Sequence, residues 1–599
     1  MSRSSSDLEK VRRRRELIEQ GRSLLGWLDR LRVSDQTFLV IYATLIGALA
    51  GVVSALFRNA IAVVRDLCFG TEDVVHLVIQ MPAAWRFLLP AAGGLLMGVL
   101  AVWVFRRPKM GGVPEVIEQA TRGGGTTSVR SIFPTFINSA IVIGSGGSAG
   151  REGPIVAMGA SIGTLIGRIF KLSTQRRRVA LGCGAAAGIA AAFNAPLAGV
   201  FFALEVVLAG DFQVRTLSPI VLASVVGTVV ERALLGNHLA FTVPPYQLVS
   251  GREILFYAVL GILAGVVARA FVVAHERSHQ FFEKLPLPLW AKPAIGGLAV
   301  GVIGIWLPQV YGNGYDFMQQ ALAGKMTLAL LAALVIGKIV ATALTLGSGG
   351  WGGDLAPSLF IGAMLGGTVG EVVHGTFPAA TATPGAYAVV GMGAVLAAVI
   401  HAPITGILML FEVTNNYKVI LPVMTACVLA TTIARLLSPL SIYGEALAKK
   451  GIYLWEGREV RVMQDLKVEN VMSHEVETVP QQAHFREILD RLTHSKQLFF
   501  PVVDAKGKLL GVLNFHQYRE LLFEEDLADL VVAGEMVDKE LAFLYPDDSV
   551  QTAIELFHGL DWDEVPVVDR SDRKVVGRVT RRQVIDAYNR EVVKRSWTA

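Results

Sequence analysis

The chemistry of this 599-residue chain gathers on one ionisable side chain, Glu152 in Gly150-Arg151-Glu152-Gly153-Pro154. An apolar run follows it, Ile155-Val156-Ala157-Met158. Proline suits the first turn of a helix, so the carboxylate stands where a helix begins. Unpaired N–H groups collect partial positive charge there, and such a place binds anions. A carboxylate at that point can take a seat meant for one. The plainer alternative is an ordinary N-terminal helix carboxylate, but an ionisable residue inside membrane-type sequence marks function. The implied chemistry is binding and releasing negative charge rather than making bonds. The sequence shows no phosphate-cradling G-x-x-x-x-G-K-[ST], no clustered metal ligands and no nucleophile with a partnered base. No enzyme, catalytic residue or bound metal is therefore expected.

The block that positions Glu152 has a counterpart. Gly144–Ala160 reads GSGGSAGREGPIVAMGA and Gly347–Ala363 reads GSGGWGGDLAPSLFIGA, at an offset of 203 residues (357 − 154). A second pair follows each, FNAPLAGVFFALE at Phe193–Glu205 and IHAPITGILMLFE at Ile400–Glu412. Glycine- and proline-interrupted apolar segments in corresponding places of two halves point to a site built from broken helices near the bilayer midplane.

Composition agrees: 52% of residues are hydrophobic and 18% charged, and mean hydropathy is +0.49. A soluble chain carries about a quarter charged residues. Residues 36–442 alternate apolar stretches with short polar breaks, in halves of about 36–240 and 250–442. Phe38–Phe57, Phe87–Phe105, Val179–Leu208, Ile254–Val273, Leu328–Leu346, Ala386–Phe411 and Val419–Leu436 approach or exceed the span of about 20 residues that crosses a bilayer. Ser131–Ile143 and Ile155–Phe170 are shorter and read as tilted pieces that meet inside it. Residues 1–35 are polar, carry Arg12-Arg13-Arg14-Arg15 and lack a signal-peptide core. The positive-inside rule keeps this arm cytoplasmic. A net charge of +5 is too mild to suggest nucleic acid. Cys68, Cys183 and Cys427 are isolated and read as packing residues.

After a charged linker at 443–466, two similar units occupy 467–525 and 533–592. Each runs from an amphipathic helix to Pro-Val-Val-Asp (Pro501–Asp504, Pro566–Asp569), a charged turn and an apolar strand. This predicts a helix followed by a strand-turn-strand hairpin.

The fold class is an all-α polytopic membrane protein with inverted-topology repeats and broken helices, followed by an α/β module. The membrane motifs resemble the CLC family of chloride channels and anion/proton antiporters, and the tail resembles a tandem of CBS domains. Gly150–Pro154 matches the family's G-R/K-E-G-P signature. FNAPLAG, HAPITG, FEVTNNY at Phe411–Tyr417 and SIY at Ser441–Tyr443 support it. The resemblance implies a homodimer in a cell (inner) membrane, with both termini cytoplasmic and one pathway for chloride or a similar small anion per subunit. It makes Glu152 the gate and Tyr443 a hydroxyl donor to the central anion, a donor without fixed charge. Backbone N–H groups of Gly353, Leu355 and Ala356 complete the site from the family's G-x-F-x-P place, beside Arg151 and Gly153.

Three departures stand out. Met110-Gly111-Gly112-Val113-Pro114 replaces G-S-G-I-P or G-H-G-V-P, so Gly111 lies where chloride-selective members carry serine. Coordination from Gly111 and Gly112 then falls to backbone N–H or water. Leu355 replaces a phenylalanine. Val206 follows Glu205 where coupled antiporters carry a proton-relaying glutamate, and valine holds no proton. Passive conduction through a Glu152-gated pore is therefore the first reading and proton-coupled antiport the second. A CBS-based membrane-anchored sensor is the third, from a different class. His401 reads as a hydrogen-bonded packing residue and Glu412 as a partner to a neighbouring helix end. In the CBS pair, Gln517 and Gln583 stand where nucleotide-binding tandems carry aspartates, although Thr580 persists. A structural or dimer-stabilising role is expected first, and an adenine nucleotide in the cleft second.

Overall fold

The computed structural model describes residues 35–70, 81–107, 111–121, 124–210, 212, 214–236, 241, 243, 246, 248–450, 452, 466–495, 497, 499–514, 531–537, 542–559 and 562–587. The basic arm apart from Asp35, Met110, most of the linker and Gln517 lie outside them. The chain divides into two units, 1–454 and 455–599.

Among the described residues of the first unit, eight α-helices form one half: α1 (Asp35–Phe69), α2 (Ala83–Val99), α3 (Gly112–Thr121), α4 (Ile132–Gly144), α5 (Glu152–Ile169), α6 (Thr174–Phe193), α7 (Pro196–Phe202) and α8 (Val214–Leu235). The second half runs through α9 (Glu253–Lys284), α10 (Lys292–Trp306), α11 (Tyr315–Leu322), α12 (Leu328–Gly347), α13 (Leu355–Thr376), α14 (Pro384–Ile400), α15 (Pro403–Thr414) and α16 (Ile420–Leu437). Its helices correspond one by one, in order, to those of the first half. The short α17 (Ile442–Ala448) follows, so the stretch expected to open the linker at 443 starts instead as a helix of the first unit. Among the described residues, seven helices are long and apolar enough to cross a membrane.

Two expected spans are broken. Val179–Leu208 and Ala386–Phe411 each split where a left-handed residue, Asn194 or His401 (φ 57 in both), ends one helix. Pro196 and Pro403 then open the next. Proline lacks an N–H and its ring clashes with the preceding turn, so neither helix can run through it.

The halves meet reciprocally. Gly94 of α2 lies against the Pro293 carbonyl of α10, and Gly297 of α10 lies against the Pro90 carbonyl of α2. These residues keep the offset seen in the sequence (297 − 94 and 293 − 90 are both 203). A Cβ at either glycine would overlap that carbonyl oxygen, so small residues set the crossing distance, as they do in membrane bundles. Helices α5, α6, α13 and α14 are buried along most of their length. On the outside α1 exposes Leu45, Leu49, Val52 and Leu56, the outward apolar face that lipid accepts.

The second unit holds β1 (Val479–Pro480), α18 (Phe485–His494), β2 (Phe499–Val503) and β3 (Leu509–Asn514), then α19 (Val550–Gly559), β4 (Glu564–Val568) and β5 (Val575–Thr580). β1 runs parallel to β2, while β2–β3 and β4–β5 are antiparallel hairpins with bulges at equivalent places, Val502/Val503 and Val567/Val568. Each repeated aspartate folds its own turn. Asp504 accepts from the N–H of Lys506 (2.8 Å) and of Lys508 (2.9 Å), and Asp569 accepts from the Ser571 hydroxyl (2.5 Å) and N–H (2.8 Å). These bonds hold both carboxyls below the usual carboxylate range. The Leu509 N–H donates to the Arg573 carbonyl (3.1 Å), joining the two repeats.

Candidate functional site

The glycine-rich blocks meet tip to tip. Gly150 N–H donates to the Gly353 carbonyl and Gly353 N–H donates to the Gly150 carbonyl, both at 2.7 Å, across an antiparallel bridge. A Cβ on Gly153 would sit 2.9 Å from the Gly353 Cα, and one on Gly353 would sit 2.6 Å from the Gly153 N. Only glycines allow this approach. It brings the first turns of α5 and α13, with their unpaired N–H groups, to one point inside the protein.

Glu152 is 0% exposed at that point. Its Oε1 accepts a hydrogen bond from the Tyr315 hydroxyl and lies 3.8 Å from Arg151 Nε. Its Oε2 has no hydrogen-bond partner. That oxygen and the Ala356 nitrogen border the same space above Gly150, so the free carboxylate oxygen faces the tip of α13. Arg151 turns the other way. Its Nη2 donates to the Ala192 carbonyl (2.8 Å), and its guanidinium lies over the Tyr315 ring, 5.3 Å from the centroid. Phe241 braces that ring edge-on at 5.0 Å. Arg151 and Tyr315 also line a cavity of about 340 Å³ together with Arg58, Arg65, Glu231 and Arg232. An anion entering this basic chamber would find Glu152 behind its inner wall.

The other expected site residues gather around α13 and α3. Leu355 and Ala356 are buried at the start of α13. Gly112 opens α3 in a left-handed conformation (φ 56). A side chain on Gly111 would run into the Glu115 carboxylate, so a glutamate fills the place that a serine side chain would take. Tyr443 is buried on α17, which Ser441 caps through the Gly444 N–H (3.1 Å). Its hydroxyl, expected to face an anion, donates to Asp354 Oδ1 at 2.8 Å.

Val206 lies in a buried π-helical turn at Ala203–Val207. Its neighbour Glu205 accepts from Thr405 N–H (2.8 Å), the Thr405 hydroxyl (2.7 Å) and Ile404 N–H (3.3 Å), the opening of α15. Glu412 of α15 accepts from Leu197 N–H and Ala198 N–H, both at 2.8 Å, the opening of α7. The π-helical turn that continues α7 thus carries the carboxylate that caps α15, and α15 carries the one that caps α7; the capping role leaves Glu205 tied rather than free to shuttle. His401 ends α14, and its carbonyl accepts from Arg435 (3.0 Å). In the second unit the Gln583 side-chain oxygen accepts from the Thr580 N–H (2.9 Å), so two residues matched to a nucleotide cleft are engaged with one another.

Three contributors went unforeseen. Asp354 stands in the second glycine-rich block, where the sequence pattern points only to backbone N–H groups. Tyr315 and Arg58 come from helices distant in sequence from residue 152, and no local pattern connects them.

The sequence pattern of the voltage gated chloride channel family matches residues 93–435, and that of the CBS domain matches 468–523 and 533–590. The chain is 31% identical over 640 aligned positions to chloride channel protein CLC-f of Arabidopsis thaliana, covering 94% of this chain and 80% of the relative. It is 32% identical over 439 residues to the H(+)/Cl(−) exchange transporter ClcA of Salmonella arizonae, covering 70% and 91%. Among solved structures, a slow cyanobacterial Cl−/H+ antiporter matches with a TM-score of 0.62 at 26% identity, over 69% of this chain and 97% of that one.

Proposed function

Because the chain belongs to the voltage-gated chloride channel family, a multi-pass membrane family of anion transport, and carries a tandem CBS module, we propose that it conducts chloride or a similar small monovalent anion through a pore that Glu152 gates. One observation carries the reading: a fully buried carboxylate with one unpartnered oxygen sits where two helix N-termini converge, next to a chamber lined by arginines. A carboxylate in that position is displaced by an anion or withdrawn by protonation. The chamber is lined by the C-terminal part of α1, from Arg58 to Phe69. With the N-terminal arm in the cytoplasm of an inner-membrane protein, the chamber opens outward.

Passive conduction is favoured over coupled exchange by Val206, which offers no proton site, and by Glu205, which is occupied as a helix cap. The second reading, proton-coupled exchange, draws on the ClcA relative and the cyanobacterial structure, both described as proton-linked. The subunit works as a homodimer with one pathway each, has no enzymatic role, and uses its CBS pair as a structural module with no nucleotide required.

Reconstitution tests this. Proteoliposomes holding a chloride gradient are expected to pass chloride without moving protons uphill, and Glu152→Gln is expected to change gating while the protein still elutes as one species. Uphill proton movement overturns passive conduction in favour of exchange. Chloride-tight liposomes under every condition overturn both.

A further inference from the structure

Asp354 is 8% exposed and precedes the first residue of α13. Its place corresponds to Arg151 in the other half (354 − 151 = 203), so the chain sets an acid opposite the base at the meeting of the two tips. An aspartate before a helix ordinarily caps it, yet this one makes no capping bond to α13. Its Oδ1 instead accepts the Tyr443 hydroxyl at 2.8 Å. Among the described residues no ion pair holds it, and the titratable side chains that act on it are Tyr443 from α17 and Glu152 from α5. On α3, which packs against α17, Glu115 is folded over Gly111 and Glu118 is paired with Lys450 at 2.7 Å. An unpaired carboxylate within a membrane domain is expensive and marks function.

A tyrosine hydroxyl has one proton to donate. While an ionised Asp354 accepts it, a passing anion cannot, and the two negative charges repel. Once Asp354 takes up a proton, its charge is gone and the Tyr443 proton becomes free for an anion. We propose that Asp354 is a second acidic gate on the pathway, competing with the anion for the Tyr443 hydroxyl and yielding when it binds one proton. The proposal rests on the reading that the converging helix tips bind an anion. It differs from the Glu152 gate in position, in partner and in the residue that titrates. It also gives the chain a proton-binding group on the pathway although residue 206 is valine.

Chloride binding to the purified full-length protein, measured by calorimetry between about pH 5 and about pH 8, tests it. In a Glu152→Gln background, chloride affinity is expected to rise as pH falls, by up to about tenfold per pH unit, the limit for one linked proton. In Glu152→Gln/Asp354→Asn the affinity is expected to become flat with pH. Glu152→Gln/Asp354→Ser is expected to flatten it as well, and this arm decides the matter should the asparagine variant fail to elute as a single species. A slope unchanged by both second substitutions overturns the Asp354 gate while leaving the anion site in place. So does a Glu152→Gln protein whose affinity has no slope at all. Absence of chloride binding in wild type and every variant overturns the anion site itself, and the Asp354 gate with it.

Discussion

Replacing Glu205 by alanine tests the reciprocal capping that holds the two halves together. It strips partners from Thr405 N–H and the Thr405 hydroxyl, and the weaker one from Ile404 N–H. Thr405 is fully buried, so no water replaces the lost acceptor, and each orphaned donor costs about 1–3 kcal/mol. The expected loss is roughly 3–9 kcal/mol. Glu412→Ala removes the matching cap from α7 and orphans two donors, Leu197 N–H and Ala198 N–H. An exposed face within the membrane offers no water to replace the acceptor, so the loss is about 2–6 kcal/mol. The order, with Glu205 the more damaging, follows from its third donor. The assay is the temperature at which the detergent-purified protein stops eluting as one species. Glu205→Ala is expected to fall clearly further than Glu412→Ala, and Glu205→Gln, which keeps a carbonyl acceptor, to fall least of the three. An unchanged Glu205→Ala, or equal losses from the two alanine variants, refutes the reasoning.

Other consequences concern the pathway. Tyr315→Phe removes the hydroxyl that holds Glu152 Oε1, a bond to a charged group worth about 1.5–3 kcal/mol, so halide efflux near neutral pH is expected to rise about tenfold or more. Combined with Glu152→Gln it should add little, since both act on the same bond, as a double-mutant cycle of efflux rates will show. Arg58→Gln, in the wall of the basic chamber, is expected to slow chloride entry at low ionic strength and to matter less in high salt, as flux measured across a salt series reports. Gly353→Val places a side chain against Gly153 and Gly150 and is expected to prevent recovery of folded protein, read as loss of the single elution peak.

Much of this arrangement was legible in the chain because backbone sterics wrote it there. Glycine at 94, 150, 153, 297 and 353 is needed wherever helices or tips touch, and those contacts repeat at the 203-residue offset visible in the blocks. The breaks at Asn194 and His401 were harder to see. The flanking stretches are apolar enough to read as single spans, and only the proline two residues on gives them away. The partner of Tyr443 was not legible. Asp354 looks like an ordinary helix-opening residue until the fold brings residue 443 beside it, a pairing set by tertiary packing alone. The same holds for Glu115, whose carboxylate reaches the Gly111 position only because α3 starts in a left-handed turn at Gly112.

Anomalous diffraction from bromide-soaked crystals of the Glu152→Gln protein tests most directly whether the converging tips hold an anion. A bromide peak is expected in the space bordered by Gly150, Gly353 and the Ala356 N–H, vacated by the carboxylate. Bromide confined to the arginine-lined chamber, or an empty junction at saturating bromide, would contradict the account.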